Sequence, residues 1–563
     1  HLLSRIRHLA PLEPNPAALE RAQRLWTLTA AELAERLAVL WKAKVMAFQE
    51  RRTLYAWAYQ LIAKVPKPAG KAYISGNFAS VSDELLEELE IVEGKLPEGL
   101  NGCYVRTGPN PFFKPVAGYH WFDGDGMLHL VRLCDDKASY CNRFVETERL
   151  RQERQAGRPL FFRMGDMYGL RGLALVLLIE LGRAVGVLDN SKGSGTANTA
   201  LVYHAGRLLT LNEGDLPYGV RITCNGVVET MGRLLMQETW GNNFTAHPKL
   251  DPQNGELLFI GYKLDSKPYL SAGIMDAHGN LVRQWNIDIH RPVMMHDMAA
   301  TEQYLVILDL PLCFDPEAMI KEKSLPLKLR NELPSRIGLL RRDHPSCPTG
   351  FADVQWFTLP GPSFMAFHVA ASWEEPNGDV KIFACQMDEI DMHLDNSTRA
   401  EYGLLTEYTV SPSTGVAKLR QMTKVPGDFP VINPSKATRK CKWCWMATLD
   451  NNASPLAFLG IAKMDLEAAP GTDACVAMIN YPPGMFGGEA VFVPRAGTTV
   501  EDDGYLVVYV YDTKADTSYM NMYCARTMSS TPVASLRMPR RVPYGFHGTW
   551  VTEEQIKKQV MWV

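Results

Sequence analysis

The chain from Tyr73 to its C-terminal end alternates short apolar runs with turn signals. Asp251-Pro-Gln-Asn-Gly255 precedes the apolar run Leu257–Tyr262, and Glu375-Pro-Asn-Gly378 precedes Val380–Ala384. Such alternation is typical of antiparallel hairpins. About 490 residues of hairpins with few helices favour a β-propeller, because radial repetition is the usual way for so many strands to avoid long exposed edges. We therefore predict an all-β propeller, although no sharp repeat reveals its blade number.

The segment before this region has a helical pattern. Thr29 and Glu32 form a capping-box pattern, apolar residues recur at helical spacing to about Lys64, and Pro66 and Pro68 follow. Its polar face is basic and lies beside aromatic residues, which suits an amphipathic helix on a bilayer surface. A helix packed on the main domain would show the same periodicity. We expect residues 1–70 to form an amphipathic helical extension and residues 71–563 to form the propeller.

One apolar stretch, at about 166–188, interrupts the β pattern. It contains the run Leu173–Ile179 and is long enough to span a bilayer core, but Arg171, Glu180 and Arg183 lie within it. Each charge costs about 2.5 to 3.5 kcal/mol near the centre of a spanning helix. We therefore expect a helical insertion that either dips into a membrane surface or forms a buried lid.

The composition narrows the class of protein. Of the 563 residues, 46% are hydrophobic and 21% are charged, which is typical of a soluble globular chain. The formal net charge of −3 gives no overall basic excess for binding nucleic acid. Among 11 cysteines only Cys441 and Cys444 stand in a C-x-x-C spacing, without a second pair for a zinc site, so a reducing compartment is favoured.

Four of the 13 histidines stand out from the rest. His247, His296, His368 and His547 lie in apolar or turn-flanked segments that read as strands, where an unpartnered imidazole would cost a few kcal/mol. Their separations of 49, 72 and 179 residues place them in different blades, whose strands converge on the propeller axis. An all-imidazole site suits iron, copper, nickel or zinc and argues against a zinc hydrolase or a 2-His-1-carboxylate site. A structural role for each histidine remains the alternative.

Several motifs together resemble those of the carotenoid cleavage oxygenases. They are the Leu96–Pro111 segment, Tyr119-His-Trp-Phe-Asp-Gly-Asp-Gly-Met127, the four histidine segments and Gly487–Arg495. The likeness runs from about Tyr73 to the end and is greatest to the plant-type 9,10(9',10') enzymes. It implies a seven-bladed propeller with helical insertions capping one face.

The resemblance also implies a metal centre. One non-haem Fe(II) per chain would lie on the axis, held by the four histidines. Glu213, Asp428 and Glu489 would accept hydrogen bonds from three of them, which fixes the tautomer and orientation of each ring. Asp428 is one methylene shorter than the Glu common in the family, so its contact would be direct or through water. Without the resemblance, Glu213 and Asp428 would read as turn or cap residues.

The function implied by the resemblance is an Fe(II)-dependent dioxygenase reaction. With O2 as co-substrate, one conjugated double bond of a carotenoid or apocarotenoid would be cleaved to carbonyl products, at the 9,10 and/or 9',10' bonds. Phe122, Phe367 and Phe546 match positions that line the substrate tunnel, although each also suits an ordinary core. Because such a substrate dissolves in membranes, the two apolar helical segments would dock the protein on a membrane surface. We expect the protein to lie in the cytoplasm or in a plastid.

Three alternatives share the same residues. A stilbenoid-cleaving dioxygenase would need a polar contact to a phenol, and the segment Ser139–Arg143, where a Lys is expected, lacks one. A polyene isomerase would keep the metal site but leave the carbon skeleton intact. A non-catalytic carotenoid carrier would have no use for four ligands and three carboxylates.

Overall fold

The computed structural model describes most of the chain. The described residues are 48–63, 72–115, 119–161, 163–166, 169–184, 186–237, 239–315, 317, 326–390, 402–450 and 457–560. Most of them belong to antiparallel strands that form seven sheets of four to six strands. This arrangement is the predicted seven-bladed β-propeller.

The strands are short, most of them between three and nine residues long. In the first half of the chain they are β1 Leu86–Glu88, β2 Glu90–Gly94, β3 Gly102–Pro109, β4 Gly126–Cys134, β5 Lys137–Phe144, β6 Ala200–His204, β7 Arg207–Leu211, β8 Tyr218–Ile222, β9 Val228–Arg233, β10 Lys249–Leu250, β11 Leu257–Tyr262, β12 Leu270–Met275, β13 Leu281–Ile287, β14 Ala299–Ala300, β15 Tyr304–Asp309, β16 Leu312–Phe314 and β17 Leu327–Leu329. In the second half they are β18 Arg336–Arg341, β19 Gln355–Thr358, β20 Met365–Glu374, β21 Val380–Met387, β22 Leu404–Ser411, β23 Val416–Gln421, β24 Gly427–Ile432, β25 Trp443–Leu449, β26 Phe458–Asp465, β27 Cys475–Asn480, β28 Met485–Phe486, β29 Val491–Pro494, β30 Gly504–Asp512, β31 Thr517–Cys524, β32 Ala534–Arg537 and β33 Gly548–Thr552.

The blades follow one another along the chain. Blades two to six are β6–β9, β10–β13, β14-β15-β18-β19, β20–β23 and β24–β27, and β16 and β17 form a small separate ribbon. Blade one joins β3, β4, β5 and β1 to the last strand β33, and blade seven joins β28–β32 to β2. Strands from both ends of the described propeller therefore close the ring, and only short edge strands of the separate blades remain.

The cores of the blades are apolar, because strands buried on both faces carry continuous hydrophobic runs. Strand β30, for example, is buried along nearly its whole length, as is β4. The largest fully buried side chains include Trp285, Trp373 and Trp445, one in each of three blades. This packing makes the propeller a rigid frame for residues on its axis.

Four α-helices are present in the described part of the chain. They are α1 Phe48–Ala63, α2 Glu148–Ala156, α3 Gly169–Ala184 and α4 Glu553–Lys557. Helices α2 and α3 belong to the insertion between β5 and β6. Helix α2 begins after Thr147, whose hydroxyl accepts from the backbone N–H of Leu150 at 3.1 Å, and ends at Gly157 with a φ of 67°.

Helix α1 packs against α3. Tyr55 and Tyr59 of α1 lie in one apolar cluster with Leu175 and Ile179 of α3. A Cβ atom on Gly182 would lie 2.5 Å from the Tyr55 ring, so the close approach requires glycine. The packed face agrees with the alternative of a helix bound to the main domain.

The outer side of this helix pair keeps some apolar surface. Trp57 is 39% exposed on α1 and Leu177 is 47% exposed on α3. Within the described ranges, no helix has the length and apolar character needed to cross a bilayer. The start predicted for the N-terminal helix, at Thr29, lies outside the described residues.

Candidate metal centre

Four imidazoles meet on the propeller axis. Three of them lie within three residues of the start of a strand: His247 before β10, His296 before β14 and His547 directly before β33. His368 lies within β20. One nitrogen from each ring lies within 4.8 Å of the others. The Nε2 atom of His296 is 3.0 Å from that of His247 and 3.3 Å from that of His368. Four blades thus supply one histidine each, as the spacing along the chain predicts.

Three carboxylates contact the outer nitrogens of these rings. His296 Nδ1 is 2.7 Å from Glu213, and His547 Nδ1 is 2.7 Å from Glu489. His368 Nδ1 is 2.8 Å from Asp428, so this shorter side chain makes a direct contact. An ionised carboxylate only accepts hydrogen bonds, so each Nδ1 carries the proton and each Nε2 presents a lone pair to the axis.

A β-bulge brings Asp428 within reach of His368. The register between β24 and β25 shifts after Asp428, and Phe429 adopts a φ of 55°, which is unusual for a bulky residue. The backbone N–H of Phe429 donates to Asp428 Oδ1 at 2.8 Å and helps to hold this conformation. The centroid of the Phe429 ring lies 5.1 Å from the ring centroids of both His368 and His547. Nothing in the sequence around Phe429 distinguishes it from a core aromatic.

The donor set fits a first-row transition metal. The Nε2 atoms of His247 and His368 lie 3.0 and 3.3 Å from that of His296. In His296 and His368 the outer nitrogen carries the proton, so both inner nitrogens present lone pairs, and a cation between them would stabilise this arrangement. The same separation is expected of two nitrogens that lie at right angles on one ion, about 2.1 Å from it. Neutral imidazole suits iron, copper, nickel and zinc. The cluster therefore fits a metal site.

Electrostatics differ among the four rings. Burial and the neighbouring imidazoles hold the pKa of His247 well below its usual range. Burial also lowers the pKa of His368, although Asp428 opposes it. At His296 burial is likewise the largest influence and favours the neutral ring, but the charge and hydrogen bond of Glu213 together raise the pKa. His247 and His368 therefore present neutral rings, the form that binds a metal.

A largely apolar cavity of about 540 Å³ opens beside three of the four rings. Phe122, Phe367 and Phe546, the three predicted tunnel residues, all line it together with His296, His368 and His547. Phe367 stands perpendicular to His296 with ring centroids 5.3 Å apart, and Phe122 lies 5.8 Å from Phe546. The helical insertion adds Met164 to the wall. The cavity can hold an extended apolar molecule against the metal site.

Some polar residues that line the cavity were not predicted from the sequence. Tyr262 ends β11, lines the cavity and donates its hydroxyl hydrogen bond to Glu213 at 2.8 Å. Lys263 and Asp265 follow it and also line the cavity. In the sequence these residues read as the end of an ordinary strand and a turn, so no signal marks them.

Residues 78–552 of this chain match the family described as retinal pigment epithelial membrane protein, RPE65, the carotenoid oxygenase family. The chain belongs to this family. The match spans most of the propeller and all four histidines, together with Glu213, Asp428 and Glu489. The predicted membership is confirmed.

Similar members of the family include plant enzymes. The chain is 40% identical over 506 residues to carotenoid 9,10(9',10')-cleavage dioxygenase 1 of Phaseolus vulgaris, covering 86% of this chain and 90% of the relative. It is 39% identical over 503 residues to the protein of the same name in Arabidopsis thaliana, covering 87% of this chain and 91% of the relative.

Solved structures of family members share the fold. The lignostilbene dioxygenase of Pseudomonas brassicacearum superposes with a TM-score of 0.72 at 25% identity, covering 87% of this chain and all of that chain. The cobalt-substituted apocarotenoid oxygenase of Synechocystis gives a TM-score of 0.69 at 23% identity, covering 86% of this chain and 99% of that chain.

Proposed function

We propose that the protein is a non-haem Fe(II) dioxygenase that cleaves a conjugated double bond of carotenoids or apocarotenoids, at the 9,10 and/or 9',10' positions. The observation that carries this proposal is the cluster of four imidazoles facing an aromatic cavity. The names of the relatives that are about 40% identical support the substrate class and the bond. Residues 71–563 would form the catalytic propeller, and residues 1–70 a helical extension.

His247, His296, His368 and His547 would hold one Fe(II) per chain. When bound, this ion supplies the binding and activation of O2, which no protein side chain provides. Glu213, Asp428 and Glu489 keep the Nδ1 proton on their histidines and fix the ring orientations. The negative charges of these three carboxylates would also partly offset the positive charge of the metal ion.

The remaining residues of the site bind and orient the substrate. A polyene has no charges, so its position depends on contact with aromatic walls along its length. Phe122, Phe367 and Phe546 would provide such contacts next to the histidines, and the buried position of the site limits access of water. In the overall reaction one C=C bond is broken, O2 is consumed, and each carbonyl product gains one oxygen atom.

Cleavage of a stilbenoid is the second candidate, and one observation favours it. Tyr262 and Lys263 line the cavity and offer the kind of polar contact that a phenol would need. The Tyr262 hydroxyl, however, already donates to Glu213. Lys263 is therefore the residue on which this alternative depends.

We also propose a peripheral membrane association for the helix pair α1 and α3. Trp57 and Leu177 present apolar surface on its outer side, and a carotenoid substrate would be dissolved in lipid. The compartment would be the cytoplasm or a plastid. One relative, 37% identical, is named 9-cis-epoxycarotenoid dioxygenase NCED6, chloroplastic, of Arabidopsis thaliana.

Product analysis tests the proposed reaction. Protein is loaded with Fe(II) without oxygen and then incubated in air with detergent-solubilised β-carotene, zeaxanthin or β-apo-8'-carotenal, or with a hydroxystilbene, and products are identified by mass spectrometry. Aldehyde or ketone fragments that disappear in His296→Ala are expected, and their masses name the bond. Isomerised but intact polyene would instead indicate an isomerase, and bound but unchanged polyene a carrier. Fragments from hydroxystilbenes alone would favour the second candidate.

A further inference from the structure

One buried carboxylate connects the chain segments that carry three of the four histidines. Asp297 follows His296 directly and is 4% exposed. Its Oδ2 atom accepts from the backbone N–H of Val369, the residue after His368, at 2.7 Å. Its Oδ1 atom forms an ion pair at 2.7 Å with Nζ of Lys249, two residues after His247.

A second contact joins two of these segments. The Thr245 hydroxyl accepts from the backbone N–H of His247 at 3.0 Å and lies 3.4 Å from the carbonyl oxygen of His296, to which it donates. Thr245 is itself 1% exposed. Two contacts therefore connect the segments of His247 and His296. One comes from Thr245, two residues before His247, and the other is the ion pair between Lys249 and Asp297.

The fourth histidine is held in a different way. The backbone N–H of Gly548, next to His547, donates to Glu489 at 2.7 Å, and the backbone N–H of His547 donates to Thr199 at 3.2 Å. Neither contact involves Asp297 or Lys249. The ion pair therefore links three ligand segments directly, whereas the segment of His547 is held by Glu489 and Thr199.

These connections matter because the three histidines belong to three separate blades. His247 and His296 lie outside the regular strands, and His368 lies within a register shift of β20, between the paired residues Ala366 and Val369, so the sheet ladders do not set their relative positions. A metal site needs its ligands within about 0.5 Å of the correct geometry. A shielded ion pair, with the Asp297 side chain 2% exposed and that of Lys249 23% exposed, is stiffer than a solvated one.

We propose that Asp297 and Lys249 are positioning residues that hold His247, His296 and His368 at metal-binding distances. The inference rests on the proposed function only in that the four histidines bind a metal ion. Asp297 acts through the backbone beside two ligands, and Lys249 anchors the third segment to it. Neither side chain lines the cavity, so neither contacts the substrate.

The test compares Lys249→Met with a matched variant at a remote ion pair. Lys463 Nζ lies 2.6 Å from Asp502, its side chain is 5% exposed, and neither residue lines the cavity. Met keeps the unbranched stem in both variants and removes only the charged group. Both variants are expected to unfold at a lower temperature, because each removes the lysine that lies closest to a buried or largely buried carboxylate.

Metal binding separates positioning from general stability. Affinity for Co(II) and Fe(II) is measured by competition with a chromophoric chelator, and the geometry of the Co(II) site by its visible absorption bands. Lys249→Met is expected to lose about ten- to a hundredfold in affinity and to change the Co(II) spectrum, as for other groups that orient ligands. Lys463→Met is expected to retain both properties of the wild type. Equal affinities in the two variants would overturn the proposal.

A double-mutant cycle provides a second, milder measurement. Asp297→Asn can still accept from Val369 but loses the charge that attracts Lys249. If the two residues act as one unit, Asp297→Asn combined with Lys249→Met loses no more affinity than the more severe single variant. Additive losses would contradict the coupling. A wild-type protein that binds neither ion would instead contradict the proposed function, so the two failures are distinguishable.

Discussion

The Tyr262 hydroxyl donates a 2.8 Å hydrogen bond to Glu213, whose other oxygen contacts His296. The corresponding anchor of Glu489 is a backbone N–H, that of Gly548, and the anchor of Asp428 is the backbone N–H of Phe429. Glu213 is thus oriented by a side chain, which substitution can remove without changing the fold. This difference allows the contribution of a carboxylate anchor to be measured at one histidine.

Tyr262→Phe is expected to weaken metal binding by about three- to tenfold, since the removed group acts one hydrogen bond further out than Glu213. Burial and the nearby Glu213 charge raise the pKa of Tyr262 well above its usual range, so the hydroxyl stays a donor and the effect does not vary between pH 6 and about 9. Chelator competition with Co(II) measures the affinity.

The control for this substitution is Tyr408→Phe. Tyr408 is fully buried and its hydroxyl donates to Gln386 at 3.1 Å, but it does not line the cavity. It is expected to bind Co(II) like the wild type. Equal affinities in Tyr262→Phe and the wild type would show that Glu213 keeps its orientation without the hydroxyl.

The origin of each site residue decides how far the sequence could predict it. The four histidines were predictable, because apolar flanks and blade-scale spacing mark them, and the motif resemblance pointed to Glu213, Asp428 and Glu489. The contact between Lys249 and Asp297 was not, although both stand beside predicted ligands. Contacts between blades depend on how the blades pack, which no local pattern records.

The same limit applies to backbone detail. The resemblance left open whether Asp428 would reach its histidine, because the answer depends on the bulge at Phe429. A common class of bulge is marked by a glycine with positive φ, but here that conformation is adopted by Phe429, so the sequence does not mark the bulge. The propeller itself was predictable, since its turn signals and buried runs are local features repeated along the chain.

The buried Asp166 is expected to make stability depend on pH. Its carboxylate accepts from Tyr59 at 2.8 Å, while its Oδ1 atom has no hydrogen-bond partner among the described residues. Burial raises the pKa of Asp166 in the folded protein above its usual 3.8, although Arg163 opposes the shift. The folded state then holds the proton more tightly than the unfolded state, so stability falls as pH rises from about 3.8 through the raised pKa.

Asp166→Asn keeps the acceptor for Tyr59 and removes the titration. The difference in thermal unfolding midpoint, variant minus wild type, is therefore expected to increase as pH rises from 4 to 8. Exposed Glu180, on α3, is the control, and Glu180→Gln should follow the wild-type curve. Parallel curves for Asp166→Asn and the wild type would contradict the pKa shift as a source of the dependence.

The membrane proposal predicts a loss of lipid binding when the outer face of the helix pair becomes polar. Trp57→Ser combined with Leu177→Ser removes two exposed apolar side chains, each contributing roughly 1 to 2 kcal/mol when buried in lipid. Vesicle flotation should show weaker association of the double variant. Val416→Ser, at a similarly exposed residue on β23, is expected to float like the wild type. Equal flotation of all three proteins would exclude this face from membrane docking.

The cavity wall should affect substrate binding without affecting the metal. Phe367 lies perpendicular to His296 and 6.2 Å from Phe122, so Phe367→Leu removes an aromatic surface of the cavity next to the histidines and leaves the four imidazoles unchanged. Loss of one aromatic contact of about 0.5 to 1.5 kcal/mol raises KM for a polyene by about twofold to tenfold. Phe383→Leu is matched in chemistry, because Phe383 is fully buried and stacks on Trp373 away from the cavity. A raised KM with unchanged Co(II) affinity, seen only in Phe367→Leu, would support a substrate-contacting wall, whereas a weakened metal site would assign Phe367 to the support of His296.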